Sequence, residues 1–244
     1  MRKNAEYDIL FYILKQKYIR GDILNIEALV HKQREYFNSG ATLSVKFRIK
    51  NLIKLYKCIK KYEAEISEAL EKDLGKCHFD GFMCETGVVL MELNFMIRHT
   101  PSYAKKHLIY TPVGQVLGSG YKKCVPYGNV LVVSPWNYPF LLTMTPISDA
   151  IAAGNTIIVK PSAYSPATSE IIKKIITECF PEEYIAVVTG GREENQELLK
   201  QKFDMIFFTG SQAVGKEVLH HAAENFTPVV LELGGKNPCV VDST

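Results

Sequence analysis

Long apolar runs are missing from this chain. The run near its start, Ile9 to Leu14, halts at Lys15, too short for the core of a secretion signal or for a bilayer span. Paired cysteines are missing too. The six, at positions 58, 77, 84, 124, 179 and 239, form no CxxC pair and show no zinc spacing with the six histidines, so disulfide frameworks and metal fingers fall away. They read as reduced, scattered core residues. An excess of one charge is also lacking: 29 Lys and Arg against 26 Asp and Glu leave a net +3, too balanced for the basic field of nonspecific nucleic-acid binding. A cytoplasmic setting is expected, with no transmembrane segment and no nucleic-acid partner. Low complexity is absent as well, since 47% of the 244 residues are hydrophobic and 11% aromatic. That suffices for a sizeable core, in one domain plus a substantial arm or in two small domains.

From Ile9 to Tyr103 the apolar residues recur three and four apart, as in Ile49, Leu52, Ile53, Tyr56 and Ile59, which is the period of amphipathic helices. The lysines at 46, 50, 54, 57, 60 and 61 fall largely on the opposite face. A nucleic-acid patch would use such a stripe, but a solvated helix face suits the charge balance better. Near Pro112 the pattern changes: TPVGQVLGSGYKKCVPYGNVLVV is punctuated by glycines and prolines, as strands joined by turns are. Beyond it, β-rich runs at Val130 to Val133, Thr156 to Val159, Tyr184 to Val188, Met205 to Phe208 and Val229 to Leu231 alternate with helix candidates at 142–153, 167–179, 192–201 and 213–224. Such alternation predicts right-handed crossovers and a parallel sheet covered on both faces.

Ligands of an open parallel sheet bind beyond the carboxyl ends of its strands. There the sequence places Trp136 and Asn137, then Lys160-Pro161-Ser162, Thr189-Gly190-Gly191, Thr209-Gly210-Ser211 and Glu232-Leu233-Gly234-Gly235. The stretch from Phe208 to Lys216 puts a glycine turn between strand and helix, where free N–H groups and the helix dipole favour a phosphate. Its G-x-x-x-x-G-K spacing imitates an NTPase loop, but position 217 is Glu217, where that loop needs a hydroxyl for its metal. The plainer reading has the glycines serve only close helix packing. Asn137 can donate to a developing oxyanion or simply form a turn. Glu232 can act as a general base or cap strand-end N–H groups. Lys160 can hold a ribose or phosphate, or end a strand in solvent.

PWNYP, KPS, FTGSxxVG and ELGGK, in this order and at these strand ends, resemble the aldehyde dehydrogenase superfamily. The wording of PEEYIAVVTGG and QKFDMIFFTGSQAVGK is similar to its class 3 branch, which includes fatty and aromatic aldehyde dehydrogenases. The match runs from about Ile26 to Asp242. The resemblance implies an α/β fold in four parts: an unmatched extension at 1–25, a helical region or arm at 26–111, a bridging, oligomerising hairpin at 112–129, and a Rossmann-like NAD(P)-binding domain at 130–244. It implies NAD or NADP as cofactor, a small-molecule aldehyde as substrate, and a homodimer. Asn137 would stabilise the oxyanion and Glu232 would activate the hydrolytic water. Lys160 would hold the adenosine ribose, Gly210, Ser211 and Gly215 would lie against the pyrophosphate, and Trp136 would wall the nicotinamide cavity. No metal is implied.

Two departures stand out. Ala163 occupies the position where many members carry a glutamate that grips both ribose hydroxyls, so a 2′-phosphate becomes tolerable. The family's nucleophilic cysteine lies a few dozen residues beyond the glutamate of ELGGK, and the chain reaches only Thr244; the expectation is a chain without the catalytic-cysteine domain. A noncatalytic nucleotide-binding or oligomer-interaction module is the rival reading. Cys239 is the thiol nearest the rim in sequence, and with Val240 and Val241 after it it is expected to pack inertly in the sheet.

Overall fold

The structure is a computed structural model describing residues 26–115 and 117–242. The extension at 1–25 and the first part of the helical period lie outside the described residues. Residues 26–38 form helix α1, followed by α2 (Val45–Lys61), α3 (Glu63–Leu74) and the short α4 (His78–Gly81). A π-helical turn, Phe82–Thr86, leads into α5 (Gly87–Tyr103). Strands β1 (His107–Ile109) and β2 (Gly120–Lys122) pair antiparallel. The hairpin therefore opens five residues before Pro112, inside the region read as helical. Three residues are too few to show a period, so His-Leu-Ile carried no strand signal.

The remainder alternates as the sequence predicts: β3 (Asn129–Val133), α6 (Leu141–Ala153), β4 (Thr156–Lys160), α7 (Pro166–Cys179), β5 (Ile185–Val187), α8 (Arg192–Leu199), β6 (Met205–Gly210), α9 (Gln212–Glu224) and β7 (Val229–Leu233). All five strands are parallel, in the order β5-β4-β3-β6-β7. Side chains alternate between faces along a strand, which explains why these runs are continuously apolar. Val130, Val132, Ile157 and Val159 meet α6 and α7 on one face, while Leu131, Ile158, Ile206 and Phe208 meet α1, α8 and α9 on the other.

The early helices are packed onto this sheet. α2 and α5 cover α6, and α3 covers α7, sharing one core with the first face. On the other side of the sheet Ile26 and Val30 of α1 enter the second core, and Gln33 Nε2 donates to the carbonyls of Ile157 and Glu182 at 2.9 and 2.8 Å. Arg48 of α2 ties the layers. Its guanidinium donates to Thr42 O, Leu43 O and Ala152 O, the last an otherwise open carbonyl near the end of α6. Gly154 caps that end at φ +95°, where a Cβ would stand 2.6 Å from the Arg48 guanidinium carbon. Both the left-handed turn and the contact demand glycine. The lysine stripe of α2 is solvent-exposed, and Lys60 and Lys61 pair with Glu63 and Glu178. No helix among the described residues is long and apolar enough to cross a membrane.

Candidate functional site

From β3 the chain winds outward to β4 and β5 in one direction and to β6 and β7 in the other. The loops leaving β3 and β6 thus diverge, opening a crevice at the carboxyl ends of the strands. A cleft of about 1150 Å³ lies there, and Trp136, Asn137, Lys160, Gly210, Ser211 and Glu232 all line it. Gly215 does not. Its missing side chain faces Leu233 and Leu231 of β7, with a Cβ meeting Leu233 Cδ2 at 3.0 Å. Gly215 thus lets α9 pack closely on β7, the plainer role weighed for these glycines.

Four helix N-termini point at this rim, and their caps differ in charge. Glu85 of the π turn accepts from Phe140 N and Leu141 N at 2.8 and 3.1 Å, closing α6. Asp73 at the end of α3 accepts from Ala167 N and Thr168 N at 3.1 and 2.7 Å, closing α7. Glu194 accepts from Gly191 N at 2.6 Å, closing α8. α9 alone of the four is capped by a neutral group, the Ser211 hydroxyl, which accepts from Val214 N at 3.3 Å. A carboxylate cap repels a second anion, so of the four N-termini that of α9 has a cap which leaves room for one.

Lys160 is not the solvated strand end weighed above. It is 2% exposed, and Nζ donates to Pro161 O at 2.9 Å and Gly190 O at 2.7 Å. Burial lowers its pKa to about 8, the charge of Glu194 opposing the shift. Its ammonium bridges the loops leaving β4 and β5 at the cleft wall.

Asn137 is exposed, and its side-chain amide makes no hydrogen bond among the described residues. A turn-forming amide would be tied to nearby backbone; this one is free to donate. What is tied is the backbone: Lys76 Nζ donates to Asn137 O at 3.0 Å and lies 4.0 Å from the Tyr138 ring centroid. Lys76 in turn pairs with the fully buried Glu85 at 2.5 Å. Glu232 is exposed beside Thr209 in register and caps no N–H group. Two further polar atoms matter, one on Thr209 of the β6 strand end and one on Asn195, which no sequence pattern marks out. Thr209 Oγ1 and Asn195 Oδ1 belong to residues lining the cleft and are buried without a hydrogen-bond partner, so each has capacity for a ligand.

Of the cysteines, only Cys58 and Cys179 are buried; Cys77, Cys84, Cys124 and Cys239 are exposed. Cys239 does not pack in the sheet, because the chain after Leu233 follows an irregular, exposed course. Among the described residues no group of three or more His, Cys, Asp or Glu could hold a metal ion.

The aldehyde dehydrogenase family model matches residues 16–244, starting ahead of Ile26. The 4,4′-diaponeurosporen-aldehyde dehydrogenase of Staphylococcus aureus is 43% identical over 219 residues, covering 90% of this chain and 48% of the relative. Aldehyde dehydrogenase family 3 member A2 of Pongo abelii is 40% identical, covering 89% of this chain and 45% of the relative. The chain thus spans about half the length of the curated relatives it matches. Among solved structures, the substrate-bound state of Staphylococcus aureus AldH superposes with a TM-score of 0.86 at 43% identity, over 90% of this chain and 48% of that one. A Mycobacterium tuberculosis aldehyde dehydrogenase complexed with NAD+ gives 0.79 at 28% identity, over 88% and 44%. GapN from Methanocaldococcus jannaschii complexed with NADP gives 0.77 at 25%, over 88% and 47%.

Proposed function

The chain belongs to the aldehyde dehydrogenase family, and on that premise we propose that it supplies the cofactor-binding and charge-stabilising part of an NAD(P)-dependent oxidation of an aldehyde to a carboxylic acid. The observation that carries the reading is the α9 N-terminus, the one of the four rim helices whose N-cap is a neutral hydroxyl rather than a carboxylate, opening into a cleft lined by the ends of β3, β4, β6 and β7 and by Gly191 and Arg192 beyond β5. The residues fit a dinucleotide. Gly210 and Ser211 sit where the pyrophosphate meets the α9 N–H groups, Lys160 stands at the ribose side, and Trp136 walls the far end. The unpartnered Thr209 and Asn195 oxygens add hydrogen-bonding capacity along its length.

Bound there, the nicotinamide would supply a hydride acceptor for the aldehyde carbon. The chain's own groups act on charge and protons. The Asn137 amide donates to the aldehyde oxygen as that atom gains negative charge on attack. Glu232, exposed at the end of β7, takes a proton from the water whose oxygen becomes the second oxygen of the acid. The Lys76 and Glu85 pair holds the loop that presents Asn137. In the family the attacking group is a cysteine thiolate, and no cysteine lines this cleft among the described residues.

Titration calorimetry with NAD+ and NADP+ tests the reading, using Ser211→Asp. Aspartate caps a helix as well as serine does, so the fold is kept. Its charge costs a phosphate about 4 Å away roughly 1 to 4 kcal/mol, and affinity for both nucleotides is expected to fall at least about fivefold. Unchanged affinity overturns the assignment.

A further inference from the structure

Resting on the cofactor reading above, one region of the cleft has a chemistry of its own. Strands β4 and β5 are neighbours, with Val159 opposite Val187. Lys160 Nζ spans the loops that leave them, touching Pro161 O on one side and Gly190 O on the other. Ser162 and Ala163 follow on the first loop, and Gly191 and Arg192 on the second; all four line the cleft. A carboxylate is what a ribose 2′-hydroxyl needs as acceptor, and the first loop carries none, with the Ser162 hydroxyl and the Ala163 methyl in its place.

The charged groups facing this gap are few. Arg192 is exposed at the first turn of α8 and makes no hydrogen bond or ion pair among the described residues. Lys160 is the second cation. The nearest acid, Glu194, is turned back onto Gly191 N, and Glu193, its neighbour on α8, is exposed and absent from the cleft wall. The other carboxylates of the cleft, Glu217 and Glu232, sit on α9 and β7. A planar guanidinium with every N–H available is the side chain best shaped to grip a phosphate with two parallel bonds.

We infer that Arg192 is the specificity residue for a 2′-phosphate, so that this chain takes the phosphorylated dinucleotide NADP+ in preference to NAD+. The phosphate sits between the Arg192 guanidinium and the Lys160 ammonium, over the small side chain of Ala163, with the Ser162 hydroxyl as a neutral donor. The ribose is thereby fixed without a carboxylate.

Calorimetry with adenosine 2′,5′-bisphosphate and 5′-AMP isolates the 2′-phosphate from the rest of the cofactor. The chain is expected to bind the bisphosphate at least about tenfold more tightly, the scale of one charge-assisted bidentate contact. In Arg192→Ala that ratio should collapse toward one, with Arg192→Lys between the two. Ala163→Glu should also lower the ratio, because its carboxylate repels the phosphate and accepts from the hydroxyl. Arg192 has no partner to lose, so an unchanged unfolding midpoint shows that Arg192→Ala is folded. A ratio near one in the unaltered chain, or equal weakening of both ligands in Arg192→Ala, overturns the inference. If the ratio is near one while binding of both probes still falls in Ser211→Asp, the cofactor reading stands without this inference. If neither probe binds at all, both fall together.

Discussion

At the scale of single residues, Lys160 shows how burial turns an ordinary strand-end cation into a sensitive one. In the unfolded chain its ammonium titrates near 10.5, whereas burial in the native state lowers this to about 8. Between those values the unfolded chain holds the proton and the folded chain releases it, so this group's contribution to stability rises with pH. The cost of burying the charge is fully present below pH 8 and is relieved as pH climbs toward 10.5. Denaturant unfolding of the unaltered chain and of Lys160→Met, compared between neutral pH and pH 10, checks this. The unaltered chain should gain on the variant as pH rises, because methionine has no proton to release. A constant difference between the two would mean that Lys160 ionises normally and is not desolvated. The same desolvation makes the ammonium a stronger partner for an incoming phosphate or hydroxyl than a solvated lysine would be.

At the scale of elements, the alternation of strands and helices was legible because the central strands β3 and β4 are buried on both faces and because Gly154, Pro166 and Gly210 punctuate the helices between the strands. The strand ends therefore named most of the cleft. What closes the rim was not legible. Glu85 reaches Phe140 across 55 positions and Asp73 reaches Thr168 across 95, and no local pattern marks a cap supplied from another layer. Gly215 poses a related ambiguity: a glycine one turn into a helix reads alike whether it faces a ligand or a strand. The caps carry a testable consequence. Glu85 satisfies two N–H groups of α6 and holds Lys76, which supports the Asn137 loop. Glu85→Gln removes the buried charge partner and is expected to cost about 3 kcal/mol of stability, read from denaturant unfolding. Trp136, the sole tryptophan, sits in that loop and is 54% exposed, so its fluorescence reports the loop directly. In the folded variant, quenching of Trp136 by acrylamide should increase. A variant with unaltered stability and quenching would show that the loop is held by other contacts.

At the scale of the whole molecule, the layers place charge-stabilising groups around one cleft and leave the nucleophile's position without a thiol among the described residues. None of the six cysteines lines the cleft. Cys58 and Cys179 lie buried in the core shared by α2 and α7, where burial holds both thiols above their usual range and keeps them inert. The exposed Cys239 follows β7 in an irregular segment, the nearest thiol in sequence to Glu232. In the proposed reaction Asn137 would stabilise an oxyanion only after something has attacked the carbonyl, and Glu232 would activate water only for an acyl group already formed. Members of a covalent mechanism act as a unit, so the remaining groups give little without the nucleophile. The chain on its own is therefore expected to bind NADP+ but to give no more than trace turnover. The measurement is the rise of reduced-cofactor absorbance with a panel of aliphatic and aromatic aldehydes, repeated with Cys239→Ser. Turnover that disappears in Cys239→Ser would place the nucleophile in the segment after β7, and turnover that survives it would require a route without a thiohemiacetal at that sulfur.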